Sequence, residues 1–244
     1  MFSQKLSLKT RDGVRLDGLW YQGGYSKLVV VAHGFFQNKD TKITRQIAET
    51  FFNEFDVLVL DFRGHGTSGG RFTLTARESE DLMTYLESVK NRYEKIGVIG
   101  FSLGGAIAIQ AASRTKLIRS IISIAAPATF GSIDYHFWRK EAFDNLIDNF
   151  SSNGIGKGVR LGNPFLKKLK PLECISNLNN TPIFFIHGTH DWLIRPRHSQ
   201  KLYEYAPNPK RIRIVENGLH AEKMYDQFPD ELKKWTLDWF RETL

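Results

Sequence analysis

The chain has 244 residues, of which 41% are hydrophobic, 13% aromatic and 25% charged, the balance of an ordinary folded protein rather than a disordered or fibrous one. Its formal charge of +8 is spread thinly, with 17 basic and 12 acidic residues in 1–126, 7 and 5 in 127–180, and 10 and 9 in 181–244, and its densest basic stretches are Lys167-Lys168-Leu169-Lys170 and Lys210-Arg211-Ile212-Arg213; neither is long enough to mark a nucleic-acid-binding tail. A single cysteine, Cys174, excludes an internal disulfide framework and a Cys-ligated metal site, and is read as a small buried hydrophobe.

Met1 to Lys9 alternates polar and apolar residues and lacks the apolar core of a signal peptide. The longest apolar runs, such as Leu28 to Ala32, fall far short of the about 18 residues that cross a bilayer. A cytoplasmic chain without integral membrane association is expected, as a monomer or a homodimer.

Lys5 to Lys9 and Val14 to Tyr21 flank Arg11-Asp12-Gly13, whose Asp-Gly pair signals a tight turn, so an antiparallel hairpin opens the chain. Short apolar runs follow at Leu28–Ala32, Val57–Leu60, Ile96–Ile99, Ile121–Ile124, Ile183–Ile186 and Ile212–Val215. Such runs suit strands covered on both faces. Ile43, Ile47, Phe51 and Phe52 recur at helical spacing before the second run, and Leu82, Tyr85, Leu86 and Val89 before the third. A further helix is predicted from Pro196, and one closing helix over about Ala221 to Arg241. Alternating strands and helices give an α/β fold, a mainly parallel eight-stranded sheet with helices on both faces, because parallel neighbours require crossovers.

Between Pro127 and Pro182 lie more than fifty residues, too many for a simple connection. Residues 128–175 are therefore read as a small inserted cap, with 1–127 and 176–244 forming the core. Phe143, Leu146, Ile147 and Phe150 share one helical face, and the glycine-rich Ser151 to Gly158 follows. Those glycines do not sit between a strand and a helix, as a phosphate-binding loop would.

Chemistry concentrates after the run ending at Ile99. Gly100-Phe101-Ser102-Leu103-Gly104-Gly105 leads into Ala106-Ile107-Ala108-Ile109. Gly-x-Ser-x-Gly is short enough to arise by chance, and its context decides. A strand, a serine flanked by glycines and then small residues opening a helix make a turn so tight that the serine is pushed out over the end of the sheet. The positive end of the helix then points at its hydroxyl.

On these residues the chain resembles the α/β-hydrolase superfamily over nearly its whole length. It is most similar to the branch of serine esterases, monoglyceride lipases and serine-aminopeptidase-like hydrolases. A serine hydroxyl needs a base, and the base needs a carboxylate to fix its tautomer. The resemblance implies the order Ser, Asp, His. His220, in Glu216-Asn217-Gly218-Leu219-His220-Ala221, stands where the family places its base, and Asp191, in His187-Gly188-Thr189-His190-Asp191, where it places the acid. Among the other histidines, His190 is the rival base, His33, His65 and His187 read as loop hydrogen-bonding residues, and His136 and His198 fall in the cap and at a helix start. Asp61, in Asp61-Phe62-Arg63-Gly64-His65-Gly66, matches a structural turn of the family.

The resemblance also implies an oxyanion hole made by the backbone N–H groups of Leu103 and of Phe35, in His33-Gly34-Phe35-Phe36-Gln37. This loop departs from the His-Gly-Gly-Gly form, and Asn38, Lys39 and Asp40 beyond it read equally well as a solvated tip. Phe130, Tyr135, Phe137, Trp138, Phe143, Phe150 and Phe165 make the cap aromatic; Trp138 and Trp192 are the candidate substrate contacts, and about half of the cap aromatics are expected to anchor it instead. The expected activity is cleavage of small-molecule carboxylic esters through an acyl-enzyme, without metal or organic cofactor. Monoacylglycerol, thioester or amide hydrolysis are the alternatives, and outside enzymes a non-catalytic hydrolase-fold binding protein.

Overall fold

The computed structural model describes residues 3–131 and 159–244. Ser3–Lys9 (β1) and Arg15–Tyr21 (β2) form the opening hairpin, with Ser3 opposite Tyr21 and Lys9 opposite Arg15. The buried runs become Lys27–Ala32 (β3), Asp56–Leu60 (β4), Lys95–Phe101 (β5), Ile118–Ile124 (β6), Ile183–Gly188 (β7) and Lys210–Val215 (β8). Among the described residues they build an 8-stranded sheet in the order β1-β2-β4-β3-β5-β6-β7-β8. Pairing is antiparallel at β1–β2 and β2–β4 and parallel from β4 through β8.

Helices Lys42–Phe52 (α1), Glu78–Val89 (α2), Leu103–Ala112 (α3), Pro171–Cys174 (α4), Arg197–Tyr205 (α5), Glu222–Gln227 (α6) and Pro229–Thr243 (α7) cover the sheet. The alternation of side chains along β3 decides which layer each residue joins. Leu28, Val30 and Ala32 pack with Leu82, Leu86, Ile107 and Leu202, from α2, α3 and α5. Val29 and Val31 pack with Ile47, Phe51, Met224 and Phe240, from α1, α6 and α7. Each such aliphatic side chain withdrawn from water contributes about 1.5 to 3 kcal/mol, which is why the strands read as unbroken apolar runs. Cys174 is buried in the first of these layers, and burial pushes its thiol up to about 11, so it stays protonated at neutral pH.

Two expectations are corrected. The closing helix is two helices, because Pro229 lacks an N–H and begins α7 at its first turn, leaving Phe228 as a break. Asn38 and Lys39 are buried rather than solvated. Lys39 Nζ lies 2.8 Å from both Asp61 Oδ2 and Asp40 Oδ2, while Asp61 also accepts the Lys39 and Thr67 N–H groups at 2.7 and 3.0 Å. Asp61 thus ties two loops together, and without that carboxylate a buried ammonium would carry a large desolvation cost.

Of the segment 128–175, residues 132–158 lie outside the described residues, and with them Tyr135, His136, Phe137, Trp138, the Phe143 to Phe150 face and the glycine-rich stretch. The returning strand of chain lies on the core: Phe72 donates to the Arg160 carbonyl at 2.8 Å, and Gly162 donates to the Phe72 carbonyl at 2.8 Å. Leu172 donates to the Ala128 carbonyl at 3.0 Å. Phe130 is half-buried, whereas Phe165 is 91% exposed and anchors nothing among the described residues.

The sheet order places a topological switch beside β3. The chain leaves β3 toward β4 on one side and leaves β5 toward β6 on the other, so a crevice opens at the carboxyl ends of β3 and β5. The two loops singled out by the sequence, His33 to Gln37 and Phe101 to Leu103, border it.

Candidate active site

Ser102 follows β5 with φ 51 and ψ −118, a conformation that L residues rarely adopt. Packing imposes it. A Cβ on Gly100 would lie 2.5 Å from the Gly104 carbonyl oxygen, and one on Gly104 would lie 2.1 Å from the Ala32 carbonyl oxygen. Helix α3 therefore starts in direct contact with the ends of its own strand and of β3, which only glycine permits. The Ser102 N–H is held by the Ile124 carbonyl at 2.8 Å, and α3 begins at the next residue.

Loops after β7 and β8 bring the partners together. Thr189 donates its N–H to the Val215 carbonyl at 2.9 Å and His190 to the Gly218 carbonyl at 3.0 Å. His220 Nδ1 then lies 2.6 Å from Asp191 Oδ2, and its Nε2 lies 2.9 Å from Ser102 Oγ. Because an ionised carboxylate only accepts, Nδ1 carries the proton and Nε2 is free to accept the Ser102 hydroxyl. Asp191 is itself fixed: its Oδ1 accepts the Leu193 and Ile194 N–H groups at 2.9 and 2.8 Å, and the buried His187 Nε2 stands 3.2 Å from Oδ2.

Electrostatics follow this geometry. Burial would raise the Asp191 carboxyl, but His220 and His187 outweigh it and hold the group well below the usual carboxylate range. Burial would lower His220, yet the Asp191 charge and hydrogen bond, joined by Glu222, raise it above the ordinary imidazole value.

The loop after β3 is held from behind. His33 Nε2 accepts the Phe62 N–H at 3.2 Å, so its proton sits on Nδ1, which donates to the Gly34 carbonyl at 2.7 Å. Burial lowers His33 to about 4 and His65 to about 3, and both are neutral near pH 7. A trans peptide places its C=O and N–H on opposite edges, so clamping the Gly34 carbonyl aims the Phe35 N–H the other way. His65 Nε2 donates to the Phe35 carbonyl at 2.7 Å, fixing the next peptide as well.

Of the sequence candidates, Ser102, Asp191 and His220 come together, and Trp192 flanks them with its ring centroid 6.3 Å from that of His220. Trp138 lies outside the described residues. The rival His190 is exposed, while His198 Nδ1 accepts the Ala128 N–H at 3.0 Å as a structural contact. Sequence reasoning missed Glu222, whose Oε1 accepts the Gly34 N–H at 2.9 Å; its signal was an acidic residue two positions beyond His220 at the start of a helix. Among the described residues no group of three His, Cys, Asp or Glu side chains is placed to hold a metal ion, and no helix is long and apolar enough to cross a membrane.

A family model described as the alpha/beta hydrolase fold matches residues 27–141. The esterase Pf2001 of Pyrococcus furiosus superposes with a TM-score of 0.80 at 25% identity, over 99% of this chain and 91% of the esterase. The chain has the α/β-hydrolase fold. The chain is also 23% identical to the uncharacterized protein YfhR of Escherichia coli (strain K12), over 99% of this chain and 82% of YfhR. It is 35% identical to thiohydrolase aneE of Aspergillus aculeatus over 124 residues, 47% of this chain and 39% of that protein.

Proposed function

We propose that this chain is a cytoplasmic serine hydrolase that cleaves small-molecule carboxylic esters through an acyl-enzyme. The observation that carries the proposal is the continuous chain from Ser102 Oγ to His220 Nε2 at 2.9 Å and from His220 Nδ1 to Asp191 at 2.6 Å. The likeness to esterase Pf2001 supports it.

In this reading Ser102 Oγ attacks the acyl carbon as its proton passes to His220 Nε2. The carbonyl electrons move to oxygen, where the Phe35 and Leu103 N–H groups receive the negative charge at the crevice beside β3. Asp191 stays ionised and steadies the imidazolium without taking its proton. His220 then protonates the leaving alkoxide, which departs as alcohol. Water, deprotonated by the same nitrogen, attacks the acyl carbon, the bond to Ser102 Oγ breaks, and His220 returns the proton to that oxygen as the acid leaves. Trp192, against His220, borders the acyl or alcohol group.

Thioester cleavage is the second reading. The same steps expel a thiolate, a better leaving group than an alkoxide, and the 35% identity to thiohydrolase aneE favours testing it.

A fluorophosphonate probe tests the class. The wild-type chain labels at Ser102, and Ser102→Ala does not; equal labelling of both proteins rejects the mechanism. A panel of p-nitrophenyl esters from acetate to palmitate, beside matched thioesters, then ranks the substrates. Flat activity across acyl lengths would remove the cap aromatics from acyl selection.

A further inference from the structure

We infer that Glu222 is a positioning residue of this site, a carboxylate that locks the loop carrying the Phe35 N–H to the start of the helix that follows His220. The inference rests on the proposed serine hydrolase reading and assigns a role to a residue outside its triad and oxyanion hole.

Glu222 Oε1 accepts the Gly34 N–H at 2.9 Å, across 188 residues of sequence. The contact joins the carboxyl end of β3 to the first residue of α6. Gly34 is then held on both edges, its N–H by Glu222 and its carbonyl by the His33 Nδ1–H at 2.7 Å and the Gln37 N–H at 3.2 Å. Two successive peptides are thereby fixed, and the second of them carries the Phe35 N–H.

On the other side, Glu222 is separated from His220 only by Ala221, which has φ 45 and ψ −113. The His220 carbonyl accepts the Lys223 N–H at 3.0 Å, so the backbones of base and carboxylate turn together. One half-buried side chain thus spans the two parts whose separation must be right when the oxyanion forms.

Its charge has a second effect. The proton leaves Ser102 for His220 in the step that creates the oxyanion, so the imidazolium of His220, two residues before Glu222 in the chain, forms beside Asp191. A carboxylate near an oxyanion would oppose catalysis by itself, but this one is directed at the Gly34 N–H and attracts the imidazolium. The charged groups acting on His220 are Asp191 and Glu222. Those acting on Glu222 are His220 and Asp226, and Asp226 in turn faces Lys223 and, from α1, Lys42.

Glu222→Gln separates the two effects, because the amide oxygen still accepts the Gly34 N–H while the charge is lost. Its imidazole NMR titration shows the His220 midpoint lower than in wild type, with the melting temperature retained. Glu222→Ala, which removes the acceptor as well, lowers kcat on p-nitrophenyl butyrate by about 10- to 100-fold with KM within about twofold of wild type. Wild-type kcat in Glu222→Ala overturns the inference, and an unmoved His220 titration in Glu222→Gln overturns the effect of the charge. If Glu222→Ala fails to fold, Glu222→Asp, which keeps the charge but is one methylene too short to hold the Gly34 N–H in place, takes its place with the same expected loss of kcat. A wild-type chain that neither labels with fluorophosphonate nor turns over any ester rejects the proposed function instead, and faster hydrogen exchange of the Gly34 amide in Glu222→Ala, which needs no turnover, still decides the role of Glu222.

Discussion

Ser102 and Ala221 share one rare backbone conformation, φ 51 with ψ −118 and φ 45 with ψ −113. One is the nucleophile of the proposed mechanism and the other directly follows its base. Positive φ in a residue with a Cβ costs about 1 to 3 kcal/mol and persists only where the surroundings dictate it. At Ser102 the dictating contacts are those of Gly100 and Gly104 with neighbouring backbone. Ser102→Gly is therefore expected to be more stable than Ser102→Ala by about 1 kcal/mol, the strain relieved less the entropy of glycine. Urea unfolding midpoints of the two inactive variants measure the difference, and an alanine variant as stable as the glycine one contradicts it.

The raised pKa of His220 sets the direction of the pH dependence. Protonated Nε2 cannot accept the Ser102 proton, so kcat/KM falls as pH drops through the His220 pKa. With Asp191 ionised throughout, that limb is expected to have its midpoint above about 6.5, the unperturbed histidine value. A kcat/KM profile for p-nitrophenyl butyrate from pH 5 to 10 reads it directly. A midpoint below 6.5 would mean that burial outweighs the two carboxylates.

His33 and His65 titrate the other way, with folded values lowered to about 4 and about 3 by burial. In the unfolded chain both take up protons near pH 6.5, while the folded chain keeps them neutral. The unfolded state then binds more protons, so stability falls as pH decreases from about 6.5 toward 4. His33→Asn is expected to flatten this part of the curve. Urea midpoints at half-unit intervals test it, and equal slopes for wild type and variant would assign the acid sensitivity to other groups.

A buried ion pair gives a prediction away from the serine. Arg63 Nη2 lies 2.6 Å from Asp81 Oδ1, both side chains are almost fully buried, and Arg63 Nη1 reaches Asp12 Oδ2 at 2.8 Å. Arg63→Met leaves the Asp81 carboxylate buried without its cation and is expected to cost about 3 to 5 kcal/mol. Adding Asp81→Leu should recover much of that loss. If the double variant is no more stable than the single one, the unpaired charge is not the source of the cost.

Much of this was legible in the sequence for a physical reason. Strands buried on both faces, such as Leu28–Ala32 and Ile121–Ile124, must be apolar throughout, and crossovers between them must be amphipathic. The Ser102 turn was legible because close backbone contacts admit only glycine at Gly100 and Gly104. The break at Phe228 was missed even though Pro229 signalled it, since the apolar periodicity of the closing segment runs through the break. The Lys39–Asp61 pair and the Glu222–Gly34 contact were invisible because each joins residues far apart in sequence, by 22 and 188 positions, and a lone charge carries no mark of its partner.

The separation of 118 residues between Ser102 and His220 has a consequence for the life of the chain. The serine and its base meet only through loops that follow β5, β7 and β8, so a nascent or partly unfolded chain holds an ordinary, unactivated hydroxyl. Under the proposed mechanism, ester turnover would then report on the docking of the last strand. On that reading the hydroxyl of Ser102 is activated only after the sheet is complete.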